Sequence, residues 1–480
     1  MSIKKNYAYN VSYQLLKLVT PLISTPYLSR ILAAEGVGYY SYTYSVANIF
    51  LLLAILGMEN YGVRLIAAAG GDRERRSKAF WGAYYAQAMI GTISLVAYIV
   101  FACMVESAYL PINLLWAPWI ISAIFDVSWL FFGMQEFRMP ALRSSVMKVL
   151  TLSTIFFLVK SSDDLWIYVL ITSCGTLAEQ LSLWPFVSRQ VDRCRPSWGE
   201  ILRNIKPNLS LFVPVIAINC YTTFDKVLLG NMASIEQVGY FEYSEKMSRM
   251  PLTVITALGT VALPKMSDVW ERGTKEQAIK YIRLSFWLAT AAAFAFMFGI
   301  AGVAREFVPV FFGAGYDACV ELMIVLSAII PAISWTNVIG TQFLLPRYMD
   351  RTYTLSVALA AVVNISLNFL LIPKLDSLGT AIAMVVTEFT VLIVQLFAVK
   401  RELPVFKLIL SGAPALLCGI LMMLTLRTLA PAIVNVLGIG VWALAVEFLL
   451  GAAIYTTLFC VWNRATKNEM FYELVSKYLR

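Results

Sequence analysis

The 480-residue sequence contains no histidine, and only 14% of its residues are charged. Without histidine, a Ser-His or Cys-His nucleophile and a histidine-ligated metal are excluded. The seven cysteines form no C-x-x-C pair, so neither a disulfide framework nor a zinc site is indicated. Soluble chains carry roughly a quarter charged residues. This sequence therefore has too few polar residues to cover soluble domains of its length.

Apolar residues dominate what is present. The sequence is 59% hydrophobic, with a mean hydropathy of +0.72. Continuous apolar runs, each long enough to cross the bilayer as a helix of roughly 20 residues, recur along the chain. They predict an all-α integral membrane protein with about 14 transmembrane helices, near residues 7–32, 38–58, 79–105, 112–134, 141–160, 165–187, 207–230, 246–266, 284–304, 318–345, 353–372, 377–399, 405–428 and 436–462.

Lysine and arginine fall mostly into alternate loops between these runs. Such loops are cytoplasmic in membrane proteins, so an even number of spans with both termini in the cytoplasm is predicted. This orientation accounts for the net charge of +9. A nucleic-acid partner would need a basic face on a domain outside the membrane, and the sequence predicts no such domain.

A short internal match suggests two repeated halves. Val37, Gly38, Tyr39 and Tyr42 recur in the same spacing at residues 238, 239, 240 and 243. Six predicted spans separate the copies, so the repeat would be parallel, about an axis normal to the bilayer. We therefore expect a six-helix bundle over 1–195, a second over 196–402, and two additional helices with a cytoplasmic tail over 403–480.

Several motifs together resemble the Wzx-type flippases of polysaccharide repeat units. They are Pro26-Tyr-Leu-Ser-Arg30-Ile-Leu, Gly36-Val-Gly-Tyr-Tyr40, Leu56-Gly57, Tyr61-Gly62-Val-Arg64, Trp129-Leu-Phe-Phe-Gly-Met-Gln-Glu136-Phe, Asp225-Lys-Val-Leu-Leu-Gly230, Gln237-Val-Gly-Tyr240 and Leu263-Pro-Lys-Met-Ser267. The resemblance covers nearly the whole chain. It departs at Ala33-Ala34, where a glycine is commoner in the family.

The resemblance implies the multidrug/oligosaccharidyl-lipid/polysaccharide exporter (MOP) superfamily, in which two six-helix bundles form a V-shaped central cavity. It implies translocation of an undecaprenyl-pyrophosphate-linked oligosaccharide from the inner to the outer leaflet of the bacterial cytoplasmic membrane, without covalent chemistry. Lipid-linked oligosaccharide and membrane lipids are the implied partners, with a polysaccharide polymerase and assembly proteins as further candidates. No cofactor is expected beyond coupling to H⁺ or Na⁺.

Four basic residues are candidates for binding the pyrophosphate, because cations in a low-dielectric site can replace the hydration of an anion. They are Arg30, Lys226, Lys246 and Arg249. Arg30 is the first choice, because Pro21 and Pro26 precede it and proline-broken helices line cavities. Alternatively, each of these side chains snorkels to the outer interface.

Acidic and aromatic residues give further candidates. Asp225, Glu245, Asp126 and Glu388 are candidates for ion coupling. For Asp225 and Glu245, compensation of the neighbouring lysines is the favoured alternative. For Asp126 and Glu388, pairing between helices is an equal alternative. Tyr39 and Tyr240 are candidates for stacking on sugar rings, or for anchoring the membrane interface.

Two other functions compete with this interpretation. One is another member of the superfamily, such as a lipid II flippase or a drug antiporter, although a pump for cationic drugs would favour an acidic cavity. The other is a membrane-embedded glycan enzyme. Such enzymes usually hold catalytic carboxylates in a sizeable polar loop, and the longest polar connection here, about 188–206, is short. We therefore expect no enzymatic activity.

Overall fold

The computed structural model describes residues 3–104 and 110–472; the side chains of residues 3–18 and of parts of 210–221 and 257–265 lie outside that description. Over the described residues the chain is helical and contains no strand. The all-α membrane class predicted from the apolar runs is thereby confirmed. Contacts divide the chain into two compact units, Met1–Asn231 and Met232–Arg480.

The first unit contains eleven helices. They are α1 (Ile3–Ile55), α2 (Met58–Ala69), α3 (Arg73–Met104), α4 (Leu110–Leu114), α5 (Ala117–Ile124), α6 (Ser128–Gly133), α7 (Arg138–Leu158), α8 (Leu165–Leu181), α9 (Trp184–Gln190), α10 (Trp198–Arg203) and α11 (Ile205–Met232).

The second unit contains nine helices. They are α12 (Ile235–Arg249), α13 (Leu252–Arg272), α14 (Lys275–Phe311), α15 (Ala318–Leu326), α16 (Ile329–Ile339), α17 (Asp350–Val399), α18 (Val405–Leu410), α19 (Ala413–Leu437) and α20 (Val441–Ala465). A π-helical turn, Gly340–Leu344, and a 3₁₀ turn, Leu345–Arg347, follow α16.

Helix lengths support repeated crossing of a membrane. Nine segments of the described residues are long and apolar enough to span it. The helices α1 and α17 are each more than twice the length that a bilayer requires, and each contains one non-helical residue, Ala33 (φ 54°) in α1 and Asp376 (φ 48°) in α17. The total of 14 spans and the domain bounds 195 and 402 stay predictions.

Some predicted boundaries are wrong. The run placed at 246–266 is two helices, α12 and α13, because Pro251 cannot continue the hydrogen-bonding of the preceding turn. The prolines in the first span do not break it, since α1 continues through Pro21 and Pro26 and bends at Ala33.

The first unit is held by packing around α1. Trp116, between α4 and α5, donates from its indole nitrogen to the hydroxyl of Thr43 on α1 at 3.0 Å. Ser94 of α3 donates to the carbonyl of Phe50, also on α1, at 2.6 Å. Gly62 of α2 lies directly under Trp129, where a Cβ would come within 2.6 Å of the indole ring. Only glycine therefore lets α2 and α6 approach so closely.

The polar connection after α9 is anchored to α3. Arg73 pairs with Asp192 at 2.8 Å, and Arg76 donates to the carbonyl of Gln190 at 2.9 Å. The following helix α10 starts with a capping box in which Ser197 and Glu200 bond each other's backbone N–H groups. The backbone N–H of Ser197 holds the pKa of Glu200 below its usual range.

Candidate functional site

Three of the candidate residues meet in the second unit. Arg249, in the last turn of α12, contacts the carboxylate of Glu245 one turn earlier, with Nε and Oε1 2.7 Å apart. Its Nη2 lies 3.5 Å from Oε1 of Glu388, on α17. We call Arg249, Glu245 and Glu388 the arginine trio. The spacing of four residues between Glu245 and Arg249 brings them together on one helix face, whereas Glu388 arrives only through packing of α12 on α17.

The trio is unequal in burial and in charge. The side chains of Glu245 and Glu388 are 8% and 5% exposed, whereas that of Arg249 is 29% exposed. Two carboxyl groups therefore face one guanidinium, which is the most accessible member. The longer contact to Glu388 is the weaker of the two, because charge-assisted hydrogen bonds are normally below 3 Å. This arrangement provides a cation that an incoming anion can reach.

The remaining basic candidates do not join the trio in the contacts described. Arg30 is exposed on α1 and donates from Nη1 to the carbonyl of Pro26 at 2.6 Å. Lys226, on α11, is half-buried beside the fully buried Asp225. Lys246 is half-buried on α12, near Arg249 in sequence. Their role in binding stays a prediction.

The tyrosine candidates have different surroundings. Tyr39 is half-buried on α1. The hydroxyl of Tyr240 donates to Glu236 at 2.7 Å, and its ring makes an edge contact with Tyr316. Tyr240 thus joins α12 to the start of α15, and its role in sugar stacking stays a prediction.

Asp126, the fourth coupling candidate, lies in the first unit. It is buried and accepts from the backbone N–H of Ser128 at 2.8 Å, so it caps the start of α6. Within residues 3–104 and 110–472, no three Cys, Asp or Glu side chains are grouped closely enough to hold a metal ion.

A buried arginine outside the trio was not among the candidates from the sequence. The side chain of Arg143 is only 11% exposed and pairs with Glu179 of α8 at 3.6 Å. Arg143 also donates to the carbonyl of Glu179, and Ser144 donates to its carboxylate. A serine and an arginine in adjacent positions gave no signal, because their partner lies 36 residues further along the chain.

An aromatic cluster also surrounds the second half of α1. Tyr40 stacks on Tyr168 with ring centroids 4.4 Å apart, and Tyr44 makes edge contacts with Trp116 and Trp119. The sequence shows the tyrosines but could not predict their partners at the start of α5 and on α8.

The long apolar helices and the buried charges within them define a multi-spanning membrane transporter. The chain belongs to the polysaccharide biosynthesis protein family, whose model matches residues 3–270. The family predicted from the motifs is thereby confirmed.

Curated relatives extend the match along the chain. A protein of Escherichia coli (strain K12) named "Putative O-antigen transporter" is 20% identical over 84% of this chain and 98% of its own length. A protein of the same name from Shigella dysenteriae is 21% identical over 79% of this chain and 96% of its own. The expectation of a transporter rather than an enzyme is confirmed by these relatives.

Solved structures show the same fold. The lipid II flippase MurJ, in an inward closed conformation, aligns over 97% of this chain and 100% of its own with a TM-score of 0.74 and 14% identity. An inward-facing multidrug MATE transporter of the MOP superfamily aligns over 82% of this chain and 98% of its own, with a TM-score of 0.53 and 13% identity. The chain therefore has the fold predicted from the motifs.

Proposed function

We propose that the protein moves an undecaprenyl-pyrophosphate-linked oligosaccharide from the inner to the outer leaflet of the bacterial cytoplasmic membrane by alternating access. The family, and relatives named for O-antigen transport, support a substrate of this class. The observation that carries the proposal is the arginine trio, because a partly exposed guanidinium between buried carboxylates is suited to an anionic head group. Both termini in the cytoplasm, and assembly with a polymerase, belong to the same proposal.

Binding of the pyrophosphate would replace a carboxylate as the partner of Arg249. Glu245 and Glu388 are the carboxylates paired with Arg249 in the structure. A pyrophosphate offers the guanidinium stronger, bidentate hydrogen bonds than a carboxylate 3.5 Å away. As the pyrophosphate approaches, Glu388 has to move away or take up a cation, since like charges in a low dielectric repel. This step would link substrate binding to H⁺ or Na⁺ at Glu388, with Glu245 as the alternative acceptor.

A cellular test compares Arg249→Ala with the same substitution at a second arginine, Arg272. In a strain that lacks its own repeat-unit flippase, wild-type protein is expected to restore surface polysaccharide, and Arg249→Ala to abolish the restoration. Arg272→Ala is the control, because Arg272 forms a solvent-exposed i, i+4 pair with Asp268 on α13. Membrane levels of all three proteins are matched by immunoblot.

The outcomes test the proposed transport function and the role of Arg249 separately. Restoration by wild type and Arg272→Ala, but not by Arg249→Ala, would support both. Equal restoration by all three would refute the role of Arg249 and leave the function standing. Because each flippase prefers its own glycan, a wild type that does not restore polysaccharide is tested next with purified lipid-linked oligosaccharides. Failure to move any of these would refute the proposed function.

A further inference from the structure

The last two transmembrane helices carry a buried carboxyl group that the proposed substrate site does not use. Glu447 lies on α20 and is 0% exposed. Among the described residues, neither of its side-chain oxygens has a hydrogen-bond partner. Almost all buried polar atoms in proteins are hydrogen-bonded, and each exception calls for an explanation.

The surroundings of Glu447 are a packed three-helix layer of α14, α19 and α20. Tyr455 of α20 donates to the carbonyl of Ala291 on α14 at 2.6 Å. On α19, Gly419 approaches α14 so closely that a Cβ there would lie 2.4 Å from the ring of Phe298. Glu447 lies on α20 within this layer and is itself 0% exposed, so its carboxyl group contacts protein rather than water.

One acidic and one basic side chain lie on the helices packed against α20. Glu306, on α14, is close enough to repel a negative charge at Glu447. Arg427, on α19, donates from Nη2 to the carbonyl of Ala301 at 3.1 Å. Its Nε is buried and, within the described part of the chain, has no hydrogen-bond partner. The arginine is thus only partly satisfied and makes no ion pair with Glu447 in this arrangement.

A carboxylate cannot stay charged under these conditions. An ionised carboxyl group buried without a counter-ion is far more costly than its neutral form, and a neighbouring carboxylate adds to the cost. A neutral carboxylic acid, in contrast, is tolerated at membrane depth. Glu447 therefore has to carry a proton in this arrangement.

The position of Arg427 suggests how the proton is released. Gly451 of α20 lies next to Leu426 of α19, so the two helices run side by side at this level. At 1.5 Å per residue, the Cα atoms of Glu447 and Arg427 are offset by about 4.5 Å along the helices. A displacement of about one helical turn, or a change of the arginine rotamer, would bring the two charges together.

We propose that Glu447 is a proton-binding site: it is protonated when α19 and α20 pack on α14 as described, and it releases the proton when it pairs with Arg427. The ligand is a single proton per chain. The proposal does not depend on the identity of the transported substrate, because no residue of the arginine trio takes part.

Infrared spectroscopy of the full-length protein in lipid nanodiscs tests the proposal directly. A protonated carboxyl group has a C=O band that a carboxylate lacks. At neutral pH, Glu447→Gln is expected to lose the band of one carboxylic acid. The control, Glu402→Gln, is expected to keep that band, because Glu402 is ion-paired with Arg347 and partly exposed. A Glu447→Gln spectrum that keeps the wild-type band, and loses carboxylate absorption instead, would overturn the proposal.

Titration of the same band tests the role of Arg427 without altering Glu447. Arg427→Gln removes the cation that stabilises the carboxylate, so the band is expected to persist to a pH about one unit or more higher. Glu306→Gln removes a repelling charge, so the band is expected to disappear at lower pH. An unchanged titration in Arg427→Gln would show that Arg427 is not the counter-ion and would refute the release step. Both experiments are carried out without substrate, so they test the role of Glu447 independently of the proposed function.

Discussion

Each unit places an arginine beside carboxylates, but the two arginines differ in exposure. In the first unit, Arg143 pairs with Glu179, and Ser144 and the carbonyl of Glu179 form further hydrogen bonds. In the second unit, Arg249 faces two carboxyl groups, one at 2.7 Å and one at 3.5 Å. The side chain of Arg143 is only 11% exposed, so an incoming anion cannot reach it. The side chain of Arg249 is 29% exposed, so an anion can reach it and displace the longer contact.

The comparison assigns different roles to the two arginines. Arg143 joins α7 to α8, two helices that pack along the same core, and its side chain is closed off from the surroundings. Arg249 is nearly three times as exposed and lies at the end of a helix, before Pro251. We expect the first cluster to contribute mainly to stability and the second mainly to transport.

The largest expected effect is on the pair of Arg143 and Glu179. Glu179→Gln leaves the guanidinium of Arg143 buried without a counter-charge, so we expect the unfolding free energy to fall by about 3–5 kcal/mol. Thermal unfolding of the purified protein in detergent would measure this as a lower melting temperature. A melting temperature equal to that of wild type would show that the pair is not structural.

The same substitution in the trio should have little effect on stability. Glu388→Gln removes the longer contact and leaves Arg249 paired with Glu245, so we expect the unfolding free energy to change by less than about 1 kcal/mol. Binding of a lipid-linked pyrophosphate should tighten by about threefold to tenfold, because one competing carboxylate is gone. Equilibrium binding in nanodiscs would measure it, and weaker binding would contradict the view that Glu388 competes for Arg249.

The smallest expected effect on ligand binding concerns the break in α1, which lies outside the trio. Ala33 has a φ of 54°, a left-handed conformation that strains any residue with a Cβ. We expect Ala33→Gly to raise the unfolding free energy by about 1 kcal/mol. Ala34→Gly is the matched control, because Ala34 is buried in helical conformation and the change should cost about 0.5–1 kcal/mol. If both glycines destabilise the protein alike, the break is not strained.

This break also shows what the sequence could and could not predict. The motif comparison marked Ala33-Ala34 as the place where a glycine is commoner, and Ala33 is where the helix turns. The apolar runs correctly predicted a helical membrane protein, since hydrophobic length is a local property. They could not separate α12 from α13, because the sequence of α12, with three glutamates, a lysine and an arginine, is too polar to form an apolar run of its own.

The candidate site was predictable only for residues that are close together in the sequence. Glu245 and Arg249 are four residues apart, so a helix brings them together. The approach of Glu388, and the pairing of Arg143 with Glu179, depend on the packing of helices distant in sequence. The same limit applies to Glu447, whose burial without a partner follows from the packing of α14, α19 and α20.

The most direct test of the central claim is translocation by the purified protein in sealed vesicles that contain a fluorescent lipid-linked oligosaccharide. Wild type and Arg272→Ala are expected to expose the lipid on both leaflets, and Arg249→Ala to leave it on the leaflet where it was introduced. Equal translocation by Arg249→Ala and wild type would contradict the claim that the arginine trio recognises the anionic head group.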